Sequence, residues 1–227
     1  MRRPSQHPQN VVPQFAKLAQ WRPDTIIHVG VGEEHPEVRD FKHAWPKADL
    51  IGFEPHPATF SRIKATYPGQ LHQWAVSQSQ DETTLHSPKR NRHAATIIPP
   101  SNPKTVDKLK VSTISLDEIL ADRQGPIFLW LSCERGEQGA IHSAFHTMSK
   151  IDFMYIEIST DPFGKNAPAA TELQWLLEYH NFLCQWTCTR GATLDRYSAV
   201  YVKPRFFSSR FCNVSSEIVR HSKSSKI

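Results

Sequence analysis

The chain has 227 residues, of which 39% are hydrophobic and 10% aromatic, so it suits one α/β domain and excludes both a disordered polypeptide and two full domains. The formal net charge of +5 lies from Lys203 onward, because residues 1–202 carry equal numbers of acidic and basic side chains. No apolar run reaches the length of a membrane span, and no hydrophobic segment follows the N-terminal arginines as it would in a secretory signal, so we expect a cytoplasmic location.

The first third of the chain alternates between apolar runs typical of strands and apolar residues at helical spacing. The pattern predicts a short leading helix and then three strands separated by two helices: Pro13–Gln20, Thr25–Val29, Pro36–Trp45, Leu50–Phe53, Pro57–Tyr67 and Leu71–Val76. This alternation indicates β-α-β units and a parallel sheet.

A glycine-rich turn follows the first predicted strand. Gly30 and Gly32 allow the backbone to approach a ligand closely, because no side chain stands in the way. Glu54 follows the second strand, at a spacing that places an acid where it can accept hydrogen bonds from the ribose hydroxyls of an adenosyl group. The order of strand, turn, helix, strand and acid therefore indicates a nucleoside-binding domain.

Such a domain binds either a dinucleotide or S-adenosylmethionine, and the charge of the turn favours the second. Glu33, Glu34 and Glu37 would repel a pyrophosphate but tolerate a cationic sulfonium and amino group. The alternative is that these acids only complement the positive end of the helix dipole.

The second half of the chain begins with short β-like segments and then returns to the alternating pattern. The segments predict a small antiparallel β insertion at about residues 83–113 over the ligand face: Thr84–His86, Ala94–Ile98 and Lys110–Thr113. A helix starting near Ser115 is then followed by strands and helices: Ile127–Leu131, Glu137–Met148, Phe153–Ile158, Thr171–His180, Leu183–Cys188 and Ala199–Lys203.

The cysteines and two basic runs are the other candidate sites in the sequence. Cys133, Cys184, Cys188 and Cys212 show no paired spacing, so we predict reduced thiols and no metal site. His86–Lys110 holds six Lys or Arg against one acid, and the residues after Lys203 are also basic. Both runs are candidates for an anionic partner. The alternative is a solvated loop and a flexible, serine-rich tail.

Six blocks between about residues 24 and 160 occur in a distinctive order. They are His28–Gly32, Gly52–Pro57, Trp74–Ser77, Thr113–Ile119, Leu129–Glu137 and Tyr155–Ile158. In this order the series resembles the FkbM-type family of S-adenosylmethionine-dependent methyltransferases. The resemblance implies an α/β fold with a Rossmann-like, seven-stranded methyltransferase sheet and helices on both faces. With the strand pattern, we expect this domain to cover residues 24–204, after an N-terminal lead over residues 1–23 and before a basic, flexible tail over residues 205–227.

The resemblance also implies the chemistry and the residues that carry it. S-adenosylmethionine is the expected cofactor, and the expected reaction is methylation of a hydroxyl on a sugar or small metabolite, so the partner is a small-molecule or glycan acceptor. The cofactor-binding residues expected are His28, Gly30, Gly32, Glu54, Ser77 and Ser132. Glu134 and Glu157 are the expected catalytic residues on the acceptor side.

Three positions depart from the family pattern. His28 and Ser132 stand where the family has acids, and Arg135 stands where it has glycine. A protonated His28 facing the donor would oppose its sulfonium, so an aspartate there is expected to strengthen donor binding. The departures also motivate an alternative: a catalytically degenerate binding or scaffold module that docks an anionic partner. A nucleic-acid methyltransferase is a further alternative, although the chain lacks an Asn-Pro-Pro-Tyr-like signature.

Overall fold

The computed structural model describes residues 20–78, 81–89, 94–100, 102–159, 170–189 and 196–206. The predicted helix Pro13–Gln20 lies almost entirely outside these residues, as do most of the basic tail and Cys212. None of the helices in the described ranges is both long and apolar enough to span a membrane.

Strands and helices alternate along the described chain. The helices are α1 (Glu37–Ala44), α2 (Pro57–Ile63), α3 (Leu116–Leu120), α4 (Glu137–His142) and α5 (Ala170–Tyr179). The strands are β1 (Thr25–Val29), β2 (Asp49–Phe53), β3 (Gln70–His72), β4 (Ala75–Val76), β5 (Glu82–Pro88), β6 (Val106–Ile114), β7 (Ile127–Leu131), β8 (Ile151–Ser159), β9 (Leu183–Thr189) and β10 (Arg196–Val202).

Seven of the strands form the main sheet, in the order β3-β2-β1-β7-β8-β10-β9. Neighbouring strands are parallel except β10, which is antiparallel to both β8 and β9. A second, three-stranded sheet has the order β4-β6-β5 and contains the antiparallel pair β5 and β6. The predicted Rossmann-like seven-stranded sheet and the small β insertion are both confirmed.

Helices cover both faces of the main sheet, because successive side chains of each strand point to opposite faces. On one face Ile27 and Leu129 belong to a buried cluster with residues of α3, α4 and α5. On the other face Trp130 packs in an aromatic cluster that includes Phe41 of α1. The alternation that turns Ile27 and Val29 to the first face turns His28 to the second.

Several sequence predictions were wrong in detail. The run Leu71–Val76 is not one strand, because the chain leaves the main sheet after β3 and joins the insertion at β4; the ring of Trp74 stacks on His72 at this crossing, with 4.8 Å between centroids. Ala94–Ile98 forms no strand but a single bridge between Thr96 and His86.

The helix predicted over Glu137–Met148 ends at His142. The Ser143 hydroxyl donates a hydrogen bond to the carbonyl oxygen of Ala140 (2.6 Å) and accepts one from the amide of Leu116 (3.0 Å). Hydroxyl groups that bond to nearby backbone in this way compete with helix continuation. The early end of α4 also ties it to the start of α3.

Candidate active site

A cavity of about 400 Å³ lies at the carboxyl ends of the central strands. It sits between β1 and β7, where the order of the sheet reverses, which is the usual ligand position in open α/β sheets. Its wall includes the residues Val29–Glu37, Glu54, Pro55, Thr59, Trp74–Val76, Leu85, Ala95–Ile97, Trp130, Ser132–Glu134, Gly136 and Glu157. Because Leu85 and Ala95–Ile97 belong to the insertion, the insertion forms part of the cavity wall.

The two glycines of the turn after β1 serve different purposes. Gly30 has φ +79°, and a Cβ at this position would lie 2.0 Å from the carbonyl oxygen of Ser132, so glycine lets the turn pack against the end of β7. Gly32 has φ +67°, but no atom lies within 4 Å of the position that a Cβ would take. The turn therefore leaves open space beside Gly32, within the cavity wall.

The carboxylate of Glu54 is buried at the end of β2 and bonded to this turn. Its Oε2 accepts a hydrogen bond from the amide of Gly32, and its Oε1 accepts one from the amide of His56, both at 2.9 Å. Each carboxylate oxygen has more than one acceptor position, so a carboxylate can bind hydroxyl donors as well as backbone amides. The structure thus brings Gly32 and Glu54 together.

Ser132, Glu134 and Glu157 meet on the opposite wall, at the ends of β7 and β8. The Ser132 hydroxyl donates to Glu157 Oε2 (2.9 Å), and the Tyr155 hydroxyl lies 3.2 Å from Glu157 Oε1. Glu134 and Arg135 have backbone φ angles of +42° and +72°, in a region that residues other than glycine rarely adopt. Local strain of this kind is typical of functional sites.

Glu137 is buried behind this wall and is not among the cavity-lining residues. Burial raises its pKa to about 8, although hydrogen bonds from backbone amides, including that of Arg135 at 3.1 Å, favour the charged form. The negative charges of Glu134 and Glu157 raise the pKa further. Glu137 is therefore largely protonated at neutral pH.

Two of the predicted cofactor-binding residues do not line the cavity. His28 is completely buried on the aromatic face of the sheet; its Nε2 lies 3.2 Å from Glu37 Oε1, and its Nδ1 lies 3.4 Å from the Tyr67 hydroxyl. Ser77 is buried at the end of β4, where its amide donates to the carbonyl of Ile114 at 3.0 Å. His28 does not reach the cavity because Glu37, Phe41 and Trp130 surround it on the aromatic face.

His56 has a structural role in this arrangement. Its Nδ1 accepts a hydrogen bond from the amide of Thr59 (3.4 Å), so the ring caps the start of α2. Its Nε2 lies 3.1 Å from the Ser87 hydroxyl of β5. The imidazole therefore connects the second β-α turn to the insertion that covers the cavity.

Sequence reasoning missed several wall residues, among them Trp74, Thr96 and Trp130. Trp130 could have been predicted, because alternation along β7 places Trp130 and Ser132 on the same face. Trp74 and Thr96 could not have been predicted, because they reach the cavity only through the fold of the insertion.

The remaining candidate sites have a plain structural description. In the insertion, Lys110 pairs with Glu82 (3.3 Å) and Lys89 lies 3.9 Å from Asp107, so the anionic partner of this loop stays a prediction. Within the described ranges, Cys133 and Cys184 are free thiols, and no group of three His, Cys, Asp or Glu side chains is arranged to hold a metal ion.

Comparison with known proteins gives a family match. The model of the methyltransferase FkbM domain matches residues 20–191. No curated protein sequence matches the chain.

Three solved structures illustrate the structural similarity. Magnesium protoporphyrin IX methyltransferase from Synechocystis PCC 6803, with bound SAM, is 10% identical, with 87% of this chain and 79% of that chain covered and a TM-score of 0.47. Precorrin-6y C5,15-methyltransferase from Geobacter metallireducens GS-15 is 11% identical, with 86% and 87% covered and a TM-score of 0.46. An rRNA methylase from Streptococcus thermophilus is 11% identical, with 89% and 98% covered and a TM-score of 0.46.

Proposed function

This chain belongs to the methyltransferase FkbM domain family, whose model matches more than half of its residues, and from that premise we propose that it transfers a methyl group from S-adenosylmethionine to a hydroxyl of a sugar or small metabolite. Family membership makes the chain a methyltransferase. The choice of donor is supported by the geometry and charge of the cavity wall, and the choice of acceptor by the carboxylates at the ends of β7 and β8.

The observation that carries the proposal is the hydrogen bond between the Gly32 amide and Glu54 Oε2, at 2.9 Å. It joins a turn with open space beside it to a buried carboxylate, a group that can accept several hydrogen bonds at once. A ribose placed there has its two hydroxyls next to an acceptor of hydrogen bonds. The cavity volume of about 400 Å³ is also in the range of cofactor sites.

The charge of the wall favours this donor over a dinucleotide. Six glutamates line the cavity, at positions 33, 34, 37, 54, 134 and 157, and no Lys or Arg is found among the described residues that line it. Glu33 is neutralised by Arg62, whose Nη1 lies 2.5 Å from its Oε1. The others leave a negative wall, which attracts the ammonium and sulfonium groups of S-adenosylmethionine and repels a pyrophosphate.

In the proposed reaction, bound S-adenosylmethionine supplies a methyl group activated by its positive sulfur. The chain would hold the acceptor hydroxyl in line with that methyl group, so that the O–C bond forms as the S–C bond breaks and S-adenosylhomocysteine leaves, and a side chain would take the hydroxyl proton. We assign proton removal to Glu157, because its carboxylate lines the cavity and is fixed by the hydroxyls of Ser132 and Tyr155. Glu134 is assigned to binding the acceptor beside it.

Calorimetric titration tests this function. We expect S-adenosylmethionine and S-adenosylhomocysteine to bind with a stoichiometry of one, and NAD not to bind because of its pyrophosphate. A methyl-transfer assay with radiolabelled donor and a panel of glycosides and hydroxylated metabolites then tests the acceptor class. If neither S-adenosylmethionine nor S-adenosylhomocysteine binds, the proposed function is contradicted and a binding or scaffold module is favoured.

A further inference from the structure

A buried pair of ionisable side chains lies directly behind the cavity wall. His28 Nε2 is 3.2 Å from Glu37 Oε1, and the side chains are 0% and 9% exposed. Glu37 is the first residue of α1 and also lines the cavity next to the turn that contains Gly30 and Gly32. Glu37 therefore connects the buried histidine to the space in which a ligand would lie.

The three acids of this turn are not equivalent. Glu33 is paired with Arg62, and Glu34 is exposed to solvent. Glu37 is the buried one. Burial raises its pKa, but the interaction with His28 outweighs this effect, so the pKa lies below its ordinary value. Glu37 is thus an ionised carboxylate held in the wall of a cavity.

We propose that Glu37 binds the α-ammonium group of S-adenosylmethionine and that His28 is a positioning residue that holds Glu37 from behind; this inference rests on the proposed function. An ammonium group has N–H donors that match a carboxylate, whereas a sulfonium has none. A negative charge fixed within a partly water-excluded wall interacts more strongly with a cation than a solvated one does.

His28 is well placed to fix the position of Glu37. Its Nδ1 lies 3.4 Å from the Tyr67 hydroxyl, and the rings of Phe41 and Trp130 pack edge-on against it with centroids 6.0 Å and 6.3 Å away. A ring enclosed in this way has little freedom to reorient. The contribution of His28 to donor binding is therefore expected to pass through Glu37.

The experiment compares two adenosyl ligands by calorimetry. S-adenosylhomocysteine carries the α-ammonium group, and methylthioadenosine lacks the whole amino acid portion. Glu37→Gln keeps the shape of the side chain but removes its charge, so affinity for S-adenosylhomocysteine should fall by about tenfold or more, the effect of a hydrogen bond to a charged group. Affinity for methylthioadenosine should stay within twofold. Asp40→Asn is the matched control, because Asp40 lies on the same helix but does not line the cavity.

A double-mutant cycle tests the role of His28. His28→Gln alone should lower the affinity for S-adenosylhomocysteine but not the affinity for methylthioadenosine. It should not lower the affinity further when Glu37→Gln is already present. Equal losses for both ligands, or an unchanged affinity in Glu37→Gln, would overturn the inference while leaving the proposed function intact. Failure of the natural protein to bind S-adenosylhomocysteine would overturn both. If His28→Gln does not fold, Glu37→Gln still decides whether the carboxylate recognises the ammonium group.

Discussion

Glu54→Gln tests the donor site most directly. In the protein, the two carboxylate oxygens of Glu54 accept hydrogen bonds from the amides of Gly32 and His56, both at 2.9 Å. Glutamine retains one acceptor oxygen and has no negative charge, so it supports the turn less well and binds ribose hydroxyls more weakly. A hydrogen bond to a charged group is worth about 1.5–3 kcal/mol, so affinity for S-adenosylhomocysteine should fall by about 10- to 100-fold.

The same substitution should also lower stability. One of the two amides would face an NH₂ group, and a buried donor without a partner costs about 1–3 kcal/mol. For a domain of this size each kcal/mol lowers Tm by about 2–4 °C. Titration at a temperature well below the unfolding transition separates the two effects, and Glu172→Gln, at an exposed position of α5, serves as the control. If a folded Glu54→Gln variant binds S-adenosylhomocysteine within twofold of the natural protein, the ribose assignment is wrong.

Two further predictions concern the other carboxylates. Glu157→Gln should lower kcat by about 10²- to 10⁴-fold, the usual contribution of a general base, without changing donor affinity, and single-turnover methyl transfer measures the first quantity. A weakened donor site with intact turnover would contradict the assignment. Glu137 binds a proton in the folded protein up to its pKa of about 8 but releases it near 4.5 when unfolded. Its contribution to stability is therefore fully present below pH 4.5 and is lost by about 1.4 kcal/mol per unit as pH rises toward 8. Denaturant unfolding across this range should show that the free energy of unfolding falls with pH, and that Glu137→Gln makes this fall less steep. An identical dependence on pH in the variant would refute the raised pKa.

The sequence predicts most of the main sheet because its buried strands are apolar and separated by clear helical periods. The strand Thr25–Val29 and the strand Ile127–Leu131 have the bounds that the structure shows. The division of Leu71–Val76 between two sheets could not be predicted, because periodicity shows that residues are extended and not which strand they pair with.

The structure brings Gly32 and Glu54 together, but it does not place His28 in the cavity wall. Gly32 and Glu54 come together because strand order and turn chemistry are local properties of a β-α-β unit. The partner of His28 comes from a helix, and the partner of Ser132 comes from the next strand, so neither contact has a local signal. Alternation alone would have placed His28 on the face away from Val29.

Both departures from the family's acidic positions lie beside a carboxylate from another element. His28 contacts Glu37 of α1, and Ser132 donates to Glu157 of β8. The negative charge of the site is therefore still present, although different residues carry it. This removes the main reason to regard the chain as a degenerate module.

The same geometry reverses the expected effect of an aspartate at position 28. His28→Asp would bury a second carboxylate next to Glu37 and remove the partner that stabilises it. Loss of one partner of a buried pair costs about 3–5 kcal/mol, so this variant should be strongly destabilised and should not bind the donor more tightly. Exchanging the two residues, with His28→Asp and Glu37→His together, should recover part of that stability, because an imidazole again faces a carboxylate. Denaturant unfolding of the single and the double variants measures both quantities. A stable His28→Asp protein with stronger binding of S-adenosylmethionine would show that position 28 faces the donor after all.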